Sequence, residues 1–255
     1  MYSDATFTMK SGTITGNTAT SNSNGNGGNG GGVFVGNGAT FNLTGSPTIT
    51  SNTGSNVYLT ENIKIKIAGA LTEAASVGVT MASPGVFTSG LSGKGGVANF
   101  ESDDPNYGVR LNDANEARLA RLYDITLPTA STAGNVTASV NSESVTKAEQ
   151  NDTVTLTVTP GTNYACTSLT VTKKGDETQT VQVGTDKTFT MPAYPVTVNA
   201  TFGQKIEPPT ANTGLVYNGS AQTGVAAGTG YTLTENTGTD AGDYTATATL
   251  ESGYI

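Results

Sequence analysis

The stretch Ala5-Thr6-Phe7-Thr8-Met9 returns 34 positions later as Ala39-Thr40-Phe41-Asn42-Leu43. Gly12-Thr13-Ile14-Thr15-Gly16-Asn17-Thr18 likewise returns as Pro47-Thr48-Ile49-Thr50-Ser51-Asn52-Thr53. In each copy apolar side chains alternate with Thr or Asn, so Phe7 and Met9 fall on one face of a strand and the polar residues on the other. Gly31-Gly32-Val33-Phe34-Val35-Gly36-Asn37-Gly38 supplies another short alternating segment between the copies. Strands of about five residues cannot bury a face alone, whereas stacked coils of parallel strands cover one another. Phe7 is therefore expected over Phe41, and Ile14 over Ile49, all pointing inward.

Working outward, Val57-Tyr58-Leu59, Ile63-Lys64-Ile65-Lys66-Ile67 and Val77-Gly78-Val79-Thr80-Met81 read as further strands of the same stack. A repeat array needs a terminal unit with a polar outer face. Charges appear from Glu101 onward, as such a cap requires. Asp113-Ala114-Asn115-Glu116 suits either a helix N-cap with its Glu at N3 or the turn of a hairpin. The alternating flanks, Val109-Arg110-Leu111 and Ala117–Leu122, favour the hairpin. Residues 1–60 resemble the right-handed parallel β-helix repeats of bacterial adhesin-like surface proteins, on the paired phrases quoted above. That resemblance implies a short parallel β-helix with a C-terminal cap over residues 1–123.

A second unit is read over 124–203. Asp152-Thr153-Val154-Thr155-Leu156-Thr157-Val158-Thr159-Pro160 alternates Thr with apolar residues, and Ser168–Thr172, Thr188–Pro192 and Val196–Phe202 follow. Breaks at Pro160-Gly161, Lys174-Gly175-Asp176 and Pro192–Pro195 are turn chemistry. This ordered set of phrases resembles the divergent internalin-type B repeats of bacterial surface proteins. Gln204–Asn212, with Pro208-Pro209, reads as a stiff linker. Over 213–255, Tyr217-Asn218-Gly219 and Asp240-Ala241-Gly242-Asp243-Tyr244-Thr245-Ala246-Thr247-Ala248 resemble the opening and closing phrases of MBG-type Ig-like repeats, here incomplete. The expected fold class is thus all-β: a short, capped right-handed parallel β-helix, then two small antiparallel β modules.

Composition agrees. Gly is frequent at 33 residues, charged residues are 13%, and Thr makes up roughly a fifth of the chain against ordinary usage. The formal charge is −8, and basic residues adjoin only at Lys173-Lys174, so no phosphate-tracking surface and no nucleic-acid partner are expected. No apolar run reaches 18 residues, so no membrane insertion is expected. The start, Met1–Thr6, has no basic or apolar leader, and Ser252–Ile255 falls inside a strand-like stretch. The chain is read as a piece of a longer protein whose export signal and anchor lie elsewhere.

Chemistry is sparse. There is no His, which removes His-activated nucleophiles, His general bases and the commonest zinc ligand. Cys166 is the single Cys and reads as a packing residue rather than a reactive thiol. Many parallel β-helices cleave polysaccharides with clustered carboxylates, yet Asp4 is the one carboxylate in residues 1–60. Glu101, Asp103 and Asp104, with Asn106, could offer oxygen ligands to Ca²⁺, but read more simply as a solvated turn before Pro105. Gly25-Asn26-Gly27-Gly28-Asn29-Gly30 matches G-x-G-x-x-G without the strand-before, helix-after context of a dinucleotide site. It reads as a loop bulging from one coil. Thr13-Ile14-Thr15 and Thr48-Ile49-Thr50 evoke an ice-binding array, but two copies with different flanks fit an ordinary exposed strand face.

No catalytic residue, cofactor site or metal site is assigned. The expected function is a non-enzymatic structural or adhesive module of a secreted or wall-attached bacterial surface protein, acting as stalk and binding surface. Its partners would be host or microbial glycans or surface proteins, and the chain itself would be monomeric. The alternative is an accessory or glycan-binding region of a larger extracellular carbohydrate-active enzyme.

Overall fold

Every alternating segment quoted above contains a strand. The computed structural model describes Met1, residues 4–20 and residues 28–255. The fold is all-β: among the described residues a single 3-10 turn, Val97–Asn99, is the one helical element. No helix there is long and apolar enough to cross a membrane. The chain divides into two compact units, Met1–Leu122 and Tyr123–Ile255.

The first unit opens with β1 (Thr6–Ile14), β2 (Val33–Val35), β3 (Thr40–Ile49) and β4 (Val57–Leu59). It continues with β5 (Ile65–Leu71), β6 (Ser76–Met81), β7 (Thr88–Ser89), β8 (Phe100–Ser102) and β9 (Tyr107–Leu111). From β1 to β8 all pairing between strands is parallel and runs in three ladders. One stacks Phe7, Phe41, Ile65 and Thr88, with Met9, Leu43 and Ile67 beside them. A second stacks Ile14, Ile49, Val77 and Phe100. The third stacks Val33, Val57 and Val79, with Val35, Leu59 and Met81 alongside.

The expected register of Phe7 on Phe41 and Ile14 on Ile49 is therefore present. The two Phe rings stack at 5.5 Å, one degree from parallel. Phe41, Leu43, Ile49, Val57, Leu59, Ile65 and Val77 are buried, while Phe7 and Ile14 are half-buried. Lys64 and Lys66 flank the buried Ile65 and, like Thr8 and Asn42, lie on the outer face.

Successive rungs are not evenly spaced. Phe7 and Phe41 are 34 positions apart, but Phe41 to Ile65 is 24 and Ile65 to Thr88 is 23. The first interval carries the Ser/Asn/Gly tract that the later ones lack. The part of the G-x-G-x-x-G stretch at residues 25–27 lies outside the described residues.

The stack closes against β9 and the start of β10 (Ala117–Thr126), which form an antiparallel hairpin with Ala117 opposite Leu111. The 113–116 segment is thus the turn of a hairpin and not a helix start. Asn112 holds the turn, its Oδ1 accepting from the backbone N–H of Ala114 and Glu116 at 3.1 and 2.9 Å, with Asn115 in the left-handed region at φ 56°. On the other side, Phe87 N–H donates to Ala117 O and Leu119 N–H to Gly85 O, both at 2.9 Å. The edge of the parallel stack at Gly85–Phe87 therefore meets an antiparallel strand instead of solvent, which removes a template for edge-to-edge aggregation. Glu116 seals the joint: it accepts from Thr88 Oγ1 at 2.7 Å and from Gly90 N–H at 2.6 Å.

The second unit packs two sheets face to face. One orders β12 (Glu143–Ser144), β11 (Gly134–Val140), β14 (Thr153–Pro160) and β17 (Thr188–Thr190), all antiparallel. The other orders β13 (Lys147–Glu149), the end of β10, β18 (Val196–Gln204), β15 (Tyr164–Lys173) and β16 (Asp176–Val181). Inward residues of both, among them Val136, Val154, Leu156, Val171, Phe189, Val196 and Val198, make one core. One pair departs from the antiparallel expectation. Ile125 lies parallel to Val196, because the strands that open and close this module run side by side in the same direction.

Beyond this core the chain carries two two-stranded ladders. β19 (Gln222–Thr223) pairs β21 (Thr237–Gly238), and β20 (Tyr231–Thr234) pairs β22 (Thr247–Leu250), each antiparallel. Residues 204–206, at the head of the stretch read as a linker, bond to Asn163, Gly253 and Ile255.

Two stability outcomes follow from this packing. Phe41→Ala should cost the first unit about 3–5 kcal/mol, the usual range for a fully buried Phe, and Phe7→Ala clearly less, as measured by urea denaturation. Thr172 is 5% exposed and its Oγ1 has no hydrogen-bond partner. Thr172→Val, which removes an unsatisfied hydroxyl at nearly constant shape, should be neutral or stabilising by up to about 1 kcal/mol; a loss of stability would mean that the hydroxyl is satisfied in solution.

Candidate functional site

Alternation in the second unit sets apolar residues inward and hydroxyls outward. Along β14, Val154 and Leu156 are buried while Thr153, Thr155, Thr157 and Thr159 are exposed. Register then assembles a face. Thr157 lies opposite Thr137, Thr159 opposite Asn135, Thr155 opposite Ser139, and Thr153 opposite Thr190. These rows hold hydroxyls and one amide and no charge. Such a face donates and accepts hydrogen bonds without attracting counter-ions, which suits neutral polar ligands. It contains no group able to activate a nucleophile.

Loops beside these sheets are held by local carboxylates. Asp186 accepts from Thr188 Oγ1 at 2.8 Å and Asp176 from Thr178 Oγ1 at 2.7 Å. These side-chain bonds, aided by the backbone N–H of Thr178 and Thr188, hold both carboxyls below the usual aspartate range.

The first unit carries its polar groups inside the turns of the stack. Asn17 N–H and Nδ2 both donate to Asn52 Oδ1 at 3.0 Å. Asn52 Nδ2 donates to Ile14 O at 2.9 Å, and Asn52 N–H to Asn56 Oδ1 at 2.9 Å. The chain of amides ends on Asp103, whose carboxylate accepts from Asn56 N–H at 2.8 Å, Asn56 Nδ2 at 2.6 Å and Thr80 Oγ1 at 3.1 Å. Gly78 makes room for this ending: a Cβ there would collide with the Asn56 amide and the Asp103 carboxylate.

This geometry splits the acidic cluster read around residue 103. Asp103 turns inward to the ladder. Asp104 instead accepts from its neighbour Asn106, at 2.8 Å from the backbone N–H and 3.0 Å from Nδ2, while Glu101 is exposed. The oxygens do not converge on one point, and among the described residues no three Cys, Asp or Glu side chains could hold one metal ion. Cys166 is half-buried on β15, its Sγ 3.3 Å from Ser168 O. Thr13 and Thr48 do stack in register on β1 and β3, but the next rung offers Ser76, so the Thr row is two residues long.

Sequence reasoning missed the ladder. Its signal was faint: Asn17 and Asn52 occupy equivalent places in the two repeat copies, and amides in equivalent places of stacked coils fall above one another. Nothing local tied Asp103 to Asn56.

A family model described as the divergent InlB B-repeat domain matches residues 123–206, the two-sheet part of the second unit. The comparisons with curated proteins and with solved structures gave no match.

Asp103→Asn keeps the size of the side chain but puts an amide donor against donors. The variant should lose about 1–3 kcal/mol, the cost of an unsatisfied buried polar group, and Gly78→Ala should be comparably harmful. Hydrogen exchange should show the loss first in residues 52–56 and 78–80; unchanged protection there would mean that the ladder carries no stability.

Proposed function

We propose that this chain is a non-enzymatic structural and adhesive module of a bacterial protein displayed outside the cell. The observation that carries the reading is the match of residues 123–206 to a divergent InlB B-repeat domain, over a two-sheet unit with its own core. In this reading the first unit is a short right-handed parallel β-helix, which its three parallel ladders support. The segment 213–255 is an Ig-like repeat of the MBG type. Support comes from Tyr244, whose Oη donates to Asp240 O at 3.0 Å and accepts from Asp240 N–H at 3.1 Å. A tyrosine bonded back to backbone just upstream is the corner device of Ig-like sandwiches.

Such a module works by presenting surface. The uncharged hydroxyl face on β11, β14 and β17 is the part suited to neutral glycans. That face also favours the second reading, in which the chain is a glycan-binding accessory of a larger extracellular enzyme.

Trypsin treatment of intact producing cells supplies the test. Peptides ending at Lys147, Lys173 or Lys187 should be released while cytosolic markers stay inside. Their appearance only after lysis would overturn the surface assignment. Release of reducing ends from any polysaccharide by the purified chain would overturn the non-enzymatic part. Glycan-array binding lost on replacing Thr155 and Thr157 by Lys would favour the accessory reading.

A further inference from the structure

The last 50 residues of the chain contain no Lys, Arg or His, and their charged side chains are Glu207, Glu235, Asp240, Asp243 and Glu251. Three of these acids, Glu235, Asp240 and Asp243, line one groove of about 420 Å³. The same groove is lined by Tyr217, which is 65% exposed, and Tyr244, which is 55% exposed. Leu215 and Val216 continue it as an apolar wall, at 50% and 75% exposure. Apolar and aromatic side chains gathered at this exposure mark an interaction site more often than a bare surface.

The side-chain amides of the groove are already tied to backbone. Asn212 Nδ2 donates to Thr223 O at 2.8 Å, Gln222 Nε2 to Val216 O at 2.7 Å, and Asn236 Nδ2 to Val225 O at 3.2 Å. The hydroxyl of Tyr244 is bound to the Asp240 backbone, and its ring rests against Gly238, where a Cβ would lie 2.5–2.7 Å from three ring carbons. What remains for a ligand is led by carboxylates, aromatic rings and aliphatic wall, beside the hydroxyls of Tyr217, Thr237 and Thr239. With three carboxylates and no cation in the lining, anions would be repelled. A cation on an aliphatic stem satisfies all three kinds of surface at once: the stem lies on Leu215 and Val216, and the charge meets a tyrosine ring and a carboxylate.

We propose that this groove binds a basic peptide segment, seating an arginine or lysine side chain between the tyrosine rings and the Glu235, Asp240 and Asp243 carboxylates. Charge complementarity selects the ligand, because no cation of the chain follows Lys205 to neutralise these acids locally. The groove lies outside the 123–206 match, so this binding and the surface-module reading can fail separately.

The test is fluorescence anisotropy of a fluorescein-labelled hexapeptide of alternating Arg and Val, titrated with the full chain. An alternating Glu and Val hexapeptide and a glucosamine trimer with free amines serve as the competing ligands. The basic peptide should bind, more weakly as salt rises, and the acidic one should not. Tyr217→Ala and the double variant Glu235→Gln with Asp243→Asn should each weaken binding about tenfold, the scale of one cation–π or ion-pair contact. Tyr217→Phe keeps the ring and should keep the affinity, which separates loss of stacking from loss of fold. Equal affinity in the double variant, absence of basic-peptide binding, or tighter binding of the glucosamine trimer would each overturn the proposal.

Discussion

In-register parallel pairing is the constraint on which the first unit depends. Its parallel strands bury only one to four side chains each, too few to exclude water alone, so inward residues must sit on counterparts in the next rung. Once Phe7 lies on Phe41 and Ile14 on Ile49, the remaining rows have no freedom. Outward residues align as well, which is why Asn17 finds Asn52 across 35 positions. Loop length, by contrast, is free, since a turn between rungs can lengthen without moving a rung. A stack of this kind still has an end, and there the device changes: an antiparallel strand is laid on the last coil and pinned by Glu116.

The second unit meets the same shortage of apolar side chains differently. It closes two sheets over one core and, Thr172 apart, sets the Thr of its strands mostly on the outer face, where the β-branched carbon stiffens the strand and the hydroxyl stays solvated. Closure needs the strand that enters the module to lie beside the one that completes it, Ile125 against Val196. That pairing spans the whole module, and the β11–β14 and β15–β18 ladders supply the antiparallel frame around it.

Legibility in the sequence follows range and repetition. The register of β1 on β3 could be read because a phrase occurs twice, and the β9–β10 hairpin because its flanks alternate around a turn. Thr and Val along β14 announced both faces of that strand. The later rungs were harder. Ile65 and Val77 fall in the stack without copying the phrases of the first coil, since a buried rung requires only an apolar side chain there, not the same one. The bonds of Asp103 to Asn56 were illegible for another reason. An Asp before a Pro-containing turn looks solvated, and only the fold brings an amide 47 positions away to within 2.6 Å of it. The parallel step at Ile125 had no local mark either, because parallel and antiparallel neighbours place the same residues inward.

Charge placement follows from the same geometry. In a parallel stack equivalent residues lie about 4.8 Å apart, so a row of like charges would repel along its whole length. The outer row Thr8, Asn42, Lys66 and Ser89 carries one charge, and the pair Gly78 and Glu101 carries one. Met1–Leu122 accordingly holds seven Lys and Arg against eight Asp and Glu, close to balance. Tyr123–Ile255 holds five against twelve. Seven of its twelve acids, Asp152, Asp186, Glu207, Glu235, Asp240, Asp243 and Glu251, lie outside its strands, where neighbours are not forced into rows. Nearly all the net charge of −8 therefore belongs to the second unit. Long-range attraction of a partner falls off within a Debye length of about 8 Å at physiological salt. The long-range field of this chain is thus set by the second unit, while the stacked unit is close to neutral overall.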